Sequence, residues 1–303
     1  MKSSPKHILM LALTALIWGS AFVAQSMGND HLGPLTFNCV RSLIGALVLL
    51  PVMPLLARMN GASAPKPQQN RRTLWVGGIS CGLLLGVASS LQQWGLKYAS
   101  VGKAGFITAM YIVIVPVLGI FFRRSPGAKV WAAVGISVLG LYLLCWSGGG
   151  LGLGDLLLFG CSALFSLHIL VIDHFSPMAD GVQLSCIQFL TAGILCGIPA
   201  LLWEQPTLSA LISAAGPILY AGVMSSGVAY TLQVVAQRHV EPTLASLVLS
   251  LESVFSVLTG WLVLHQTLTL RELTGCALMF AAIVLAQLPE KKAACCAADQ
   301  QTT

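Results

Sequence analysis

Ten apolar runs, each near the length of a membrane-spanning helix, alternate with short polar connections along this chain. They fall at approximately 7–27, 34–57, 73–95, 102–122, 129–147, 154–174, 181–203, 214–236, 242–264 and 269–289. A spanning helix takes about 20 residues. Ten of them use roughly two-thirds of the 303 residues and leave only short loops. The first run follows Lys2 and Lys6, as the core of a secretory signal would. It is longer than such a core, no convincing small-x-small cleavage site follows it, and nine more spans come after. It is therefore expected to remain as helix one. The pattern predicts an all-α, polytopic membrane protein.

Composition sharpens this. Hydrophobic residues make up 56% of the chain, against only 16 Lys+Arg and 10 Asp+Glu. A soluble domain of this length, at about 25% charged residues, would carry roughly 76. An ordinary soluble enzyme is excluded, and so is a disordered chain, which needs the opposite balance. The nine cysteines add no chemistry. Cys39, Cys81, Cys145, Cys161, Cys186, Cys196 and Cys276 stand singly in apolar runs, and only Cys295 and Cys296 adjoin. No metal-ligand spacing appears, so no metal and no cofactor are expected.

The net charge of +6 lies in the connections, which makes it a topology signal and not a nucleic-acid surface. With a cytoplasmic N-terminus, twelve basic residues fall inside: Lys2, Lys6, Arg58, Lys66, Arg71, Arg72, Arg123, Arg124, Lys129, Arg238, Lys291 and Lys292. Only Lys97, Lys103 and Arg271 fall outside, and Arg41 is left within a span. Both termini are therefore expected in the cytoplasm of a cell whose inner membrane holds the protein. Trp75, Trp131, Trp146, Trp203 and Trp261 fall near helix ends, at headgroup level.

The chain also repeats itself. Gly86-Val87-Ala88, Leu91 and Gln92 recur 141 residues later as Gly227-Val228-Ala229, Leu232 and Gln233. The same offset pairs Lys97 with Arg238, Ala104 with Ala245, Val113 with Val254 and Gly119 with Gly260. A glycine-rich connection, Gly148 to Gly154, separates the copies. The expected organisation is a first five-helix repeat over 7–147, a second over 154–289, and a short cytoplasmic tail over 290–303. Five is odd, so the second copy must enter the membrane inverted. Inverted repeats are a common build for secondary transporters, with the site at their interface near the midplane.

Several motifs carry a family resemblance: Trp18-Gly19-Ser20-Ala21-Phe22 in helix one, Arg41 in helix two, and the run Gly95 to Ala104. Ile114-Val115-Pro116, Ala245 to Glu252, and Gly260-Trp261 complete the set. Over nearly all of 7–289 the sequence resembles the drug/metabolite transporter superfamily, EamA type. The resemblance implies ten helices in two inverted halves around a central cavity that moves small organic solutes, most commonly outward. That family often has Glu-Pro where this chain has Glu252-Ser253, a departure expected to remove a helix kink.

Ionisable and amide side chains inside hydrocarbon are the candidate machinery, since a central charge costs about 2.5–3.5 kcal/mol on insertion scales. Glu252 lies ten residues into helix nine, roughly 15 Å deep at the helical rise. It suits either a cationic group on the solute or a coupling proton; the plainer role is a hydrogen bond to a neighbouring helix. Tyr111 is its partner at the 141 offset, and Gln92 with Gln233 form a second symmetric pair. The amides serve equally as solute contacts or as interhelical glue. Arg41 either attracts an anion or plays a structural part by snorkelling or binding helix-end carbonyls, and the structural part is favoured. Its counterpart in the second half is Gln188. Trp18 is out of place mid-helix, His168 is a proton relay or a satisfied core histidine, and Tyr230 extends the strip of Gln233. Gln93 is expected to face elsewhere, and Asp173 with His174 to meet water at the end of helix six. Gly78, Gly82, Gly86 and Ser90, at spacing four, form a small-residue ridge for close packing.

These readings converge on a secondary or facilitative carrier of small metabolites, such as amino acids, partnered only by its solute and the bilayer. No Gly-x-x-x-x-Gly-Lys-Ser/Thr motif is present, so no ATPase subunit is expected. A membrane enzyme acting on a lipid-linked substrate has only Asp173 and His174 to work with. A channel would want rings of like charge.

Overall fold

The computed structural model describes residues 5–59, 70–121, 127–145, 152–264 and 269–288, and every regular element among them is helical. The spans are α1 (Pro5–Asn29), α2 (Pro34–Met59), α3 (Arg71–Gly95), α4 (Val101–Thr108 and Tyr111–Phe121) and α5 (Ala128–Cys145). After them come α6 (Leu153–Phe175) and α7 (Gly181–Pro199, with a π-turn over Ala200–Glu204). The next span, α8, joins Ala215–Leu219, a π-helical stretch Tyr220–Tyr230, and Thr231–Gln237. The last are α9 (Pro242–Leu249 and Glu252–Leu264) and α10 (Leu270–Gln287). Eight of these are long and apolar enough to cross a bilayer, and Ala128–Leu143 and Leu273–Ala286 are shorter apolar helices. Most of the glycine-rich connection, Trp146 and the tail 290–303 lie outside the described residues.

The bundle is apolar outside and polar within. Leu47, Phe121, Leu156, Ile194, Leu262 and Val284 are exposed, while Thr14, Gln25, Ser162, Gln188 and Ser225 are buried. Exposed apolar surface on this scale marks a lipid-facing protein. Trp75, Trp203 and Trp261 stand exposed near span ends, where indole rings favour the interface.

Two spans are interrupted. The pieces of α4 meet at Ala109–Met110 and those of α9 at Ser250–Leu251, positions that are themselves 141 residues apart. At both joints the ladder changes to i→i−3 bonds: Ile112 N to Ala109 O and Val113 N to Met110 O, then Leu251 N to Val248 O and Ser253 N to Ser250 O. The missing proline after Glu252 was expected to leave α9 straight, and the structure corrects this. Serine hydroxyls loosen the helix instead. Ser246, Ser250 and Ser256 bond back to the carbonyls of Thr243, Leu247 and Ser253, a habit that bends helices. Ser253 turns outward to donate to Gly105 O on α4 at 2.8 Å.

Helix pairing follows a pattern under a shift of five spans. α3 packs on α6 and α7, as α8 packs on α1 and α2; α1 packs on α9, as α6 packs on α4. The pairs α2–α7, α4–α9 and α5–α10 map onto themselves. The glycine ridge of α3 seats α7: a Cβ on Gly82 would lie 2.5 Å from Thr191 Cβ and 2.6 Å from Gln188 O. Ser90 closes the ridge against Cys196.

The first residues of α1 and the last of α10 share one face, where His7 stacks on His239 and Lys129 Nζ donates to Leu288 O. The opposite face is tied by side chains. Asp155 accepts from Lys103 Nζ at 2.8 Å and from Gly152 N, which begins α6. Glu204, delivered by the π-turn of α7 and the left-handed Gln205 behind it, reaches the start of α2. It accepts from Leu35 N, Thr36 N and Thr36 Oγ1 at 2.7–3.0 Å. It thus serves as the cap that α2 lacks in its own sequence.

Candidate functional site

A cavity lies inside the bundle, lined from α1, α2, α3, α4, α6, α8 and α9. All eight side chains singled out from the sequence reach it: Trp18, Arg41, Gln92, Tyr111, His168, Tyr230, Gln233 and Glu252. The two joints set its floor. Tyr111 and Glu252 are the first residues after the breaks in α4 and α9, so each side chain leaves its helix where the regular ladder restarts.

Tyr111 and Glu252 do more than occupy facing walls. Tyr111 Oη donates to Glu252 Oε1 at 2.8 Å, with both residues buried. Above them, Trp18 leans on Tyr230 with ring centroids 4.5 Å apart, and Tyr230 meets His168 and Phe189 edge-on. His168 Nε2 lies 3.1 Å from Gln188 Oε1, so the partner of this histidine is a side-chain amide. Gln188 is the second-half counterpart of Arg41. Gln92 Nε2 approaches Thr108 Oγ1 at 3.5 Å, a weak contact that leaves the amide open to the cavity.

Trp18 Nε1, Gln25 Oε1 and Gln233 Oε1 are buried and have no hydrogen-bond partner among the described residues. Donors and acceptors left unmet in a protein interior cost free energy, and these three are open to whatever enters the cavity.

Gln93 turns away, as expected, donating to Gln25 O and Asn29 Oδ1. Asp173 and His174 are partly buried and exposed, respectively, and neither lines the cavity. Sequence reasoning passed over Phe22, Gln25, Thr108, Phe165, Ile169 and Ser225, which also line it. Helical spacing carried a signal for some of them. Phe22 and Gln25 lie four and seven residues after Trp18, and Phe165 lies three before His168, all on shared helix faces.

A lipid-facing bundle of apolar spans around a cavity lined by polar and aromatic side chains defines a polytopic membrane protein. Its family follows from comparison: the model of the EamA-like transporter family matches residues 5–146 and again 152–288, and the chain belongs to that family. A transporter of Archaeoglobus fulgidus, described as uncharacterized, is 28% identical over 92% of this chain and 85% of its own. The transporter YoaV of Bacillus subtilis is 23% identical over 92% and 96%, respectively. The inner membrane transporter YedA of Escherichia coli is 25% identical over 90% and 88%. A solved crystal structure shares the fold with a TM-score of 0.74 at 18% identity, covering 93% of this chain and 97% of that one.

Proposed function

We propose that this membrane transporter is a secondary carrier that moves small organic metabolites, chiefly outward, across the inner membrane by alternating access. The observation that carries the reading is the buried Tyr111–Glu252 contact, set at the joints of two broken helices inside a chamber with unmet polar atoms. Broken spans at the interface of inverted repeats are the usual place for solute and coupling-ion sites in secondary transporters. The mirrored pairing of α1–α5 with α6–α10 supports reading 7–147 and 154–289 as the two inverted halves. Both termini then lie in the cytoplasm, following the positive-inside bias.

In this mechanism the solute enters the chamber from one face and meets Gln92, Gln233, Trp18 and Tyr230. The halves then rock about the α4–α9 contact to open the other face. In this reading Glu252 takes up and releases a proton in the cycle, and Tyr111 holds its carboxyl in position.

The test begins with an untargeted metabolite comparison between cells lacking and overproducing the protein. Compounds that change are then offered to proteoliposomes. A carrier gives saturable flux and counter-exchange of labelled solute. Linear, non-exchanging flux, or chemical conversion of a lipid-linked compound, would overturn the proposal.

A further inference from the structure

Arg41 is only 4% exposed, yet it opens onto the cavity. A guanidinium carries five N–H donors and stays charged. Here it makes neither hydrogen bond nor ion pair among the described residues, where the only salt bridge is Lys103–Asp155 at the far face. Neither structural role considered for it accounts for this. A snorkelling arginine would expose its head at the membrane surface, and Arg41 is buried. One bound to helix-end carbonyls would show those bonds, and it shows none.

The same chamber is lined by the buried carboxyl of Glu252, 3% exposed and partnered by Tyr111 among the described residues. Arg41 and Glu252 are not paired with each other. Tyr230 is within electrostatic range of both. Charges brought out of water without partners are costly, and inside a membrane they mark solute pathways. A guanidinium with free parallel N–H groups matches one chemical group best, a carboxylate held in a bidentate fork. The walls between the two charges are aromatic: Trp18, Phe22, Phe165 and Tyr230.

We propose that Arg41 is the subsite for a carboxylate of the transported solute, which makes that solute a small organic acid with an apolar or aromatic body. This rests on the reading of the cavity as the solute site and adds its chemical class. The carboxylate fills the fork of Arg41, the body lies against the rings, and any second polar group reaches Tyr111 and Glu252.

The test uses the full-length protein in nanodiscs and three probes with one body: 3-phenylpropanoate, 3-phenylpropanamide and 3-phenylpropylamine. Binding is read by thermal shift and by quenching of tryptophan fluorescence. The acid is expected to bind at least about tenfold more tightly than the amide, the scale of one charged hydrogen-bond pair. Arg41→Gln is expected to abolish that preference, and Arg41→Lys to keep part of it, since a point charge lacks the fork. If Arg41→Gln does not accumulate, the wild-type order alone decides. Equal or tighter binding of amide or amine overturns the proposal, as does an acid preference surviving in Arg41→Gln. So does failure of the acid to bind at about 10 mM, where even a millimolar site is filled. Probe binding in this order without counter-exchange of any solute would instead count against the carrier reading and leave the subsite standing.

Discussion

Tyr111 and Glu252 stand 141 residues apart, the offset at which the sequence repeats, and their side chains touch at 2.8 Å. In the proposed inverted arrangement, the axis relating the two halves passes between these two side chains. Both side chains line the chamber.

The pair is expected to be energetically coupled. Tyr111→Phe leaves the Glu252 carboxyl without its described partner, and the loss should be about 1–3 kcal/mol of stability in detergent. In a double-mutant cycle with Glu252→Leu, which removes the acceptor, the second change should cost much less than it does alone, since both remove one interaction. Additive losses would show that the contact contributes nothing of its own.

If Glu252 carries the coupling proton, flux in wild-type proteoliposomes should vary with pH and flux in Glu252→Gln should not, whatever its absolute rate. Glutamine keeps the shape and an acceptor but cannot exchange a proton. An unchanged pH profile in the variant would remove Glu252 as the proton site.

Ser253→Pro should be tolerated. Position 253 is in the first turn of the second piece of α9, where proline is accepted. The change removes only the Ser253 N to Ser250 O and Ser253 Oγ to Gly105 O bonds. Val257→Pro, a turn further in, should cost about 3 kcal/mol or more. Comparable losses in thermal unfolding at the two sites would contradict the joint described here.

Gly82→Val should fail to accumulate or lose at least about 1–3 kcal/mol through overpacking, because its Cβ meets Thr191 and the Gln188 backbone. Gly135→Ala is the control. A Cβ there meets nothing within 4 Å, so the change should be neutral or gain up to about 1 kcal/mol from helix propensity. Expression and melting temperature of both variants check the pair.

Reporter fusions should place residues 86–92 and 227–233 in opposite senses across the membrane, with both termini in the cytoplasm. Parallel orientation of these two segments would dismantle the inverted arrangement.

Much of this was legible before the structure. Ten helical segments emerge within a few residues of their apolar runs, and eight of them have the length that hydrocarbon thickness asks for. The offset of 141 paired Tyr111 with Glu252 by depth alone. The interruptions were not legible: hydropathy is blind to whether an N–H bonds to i−4 or i−3, and serines that loosen α9 look like any small residue. The π-stretch in α8 escaped for the same reason, since its composition is that of an ordinary span. Thr108 and Ser225 were missed because hydroxyls in membrane helices usually bond their own backbone. Arg41 was read as structural because the family resemblance includes an arginine at that position, and spacing says nothing about whether a guanidinium finds partners.

The carboxylate of Glu204 gives the opening turn of α2 its missing acceptors, yet it comes from the far side of the glycine-rich connection. The first half thus borrows its cap from the second. A fragment ending near residue 147 would leave the first amides of α2 to water at the membrane face, so if the gene were cut at that connection, the second product would still be needed to fix the opening turn of α2.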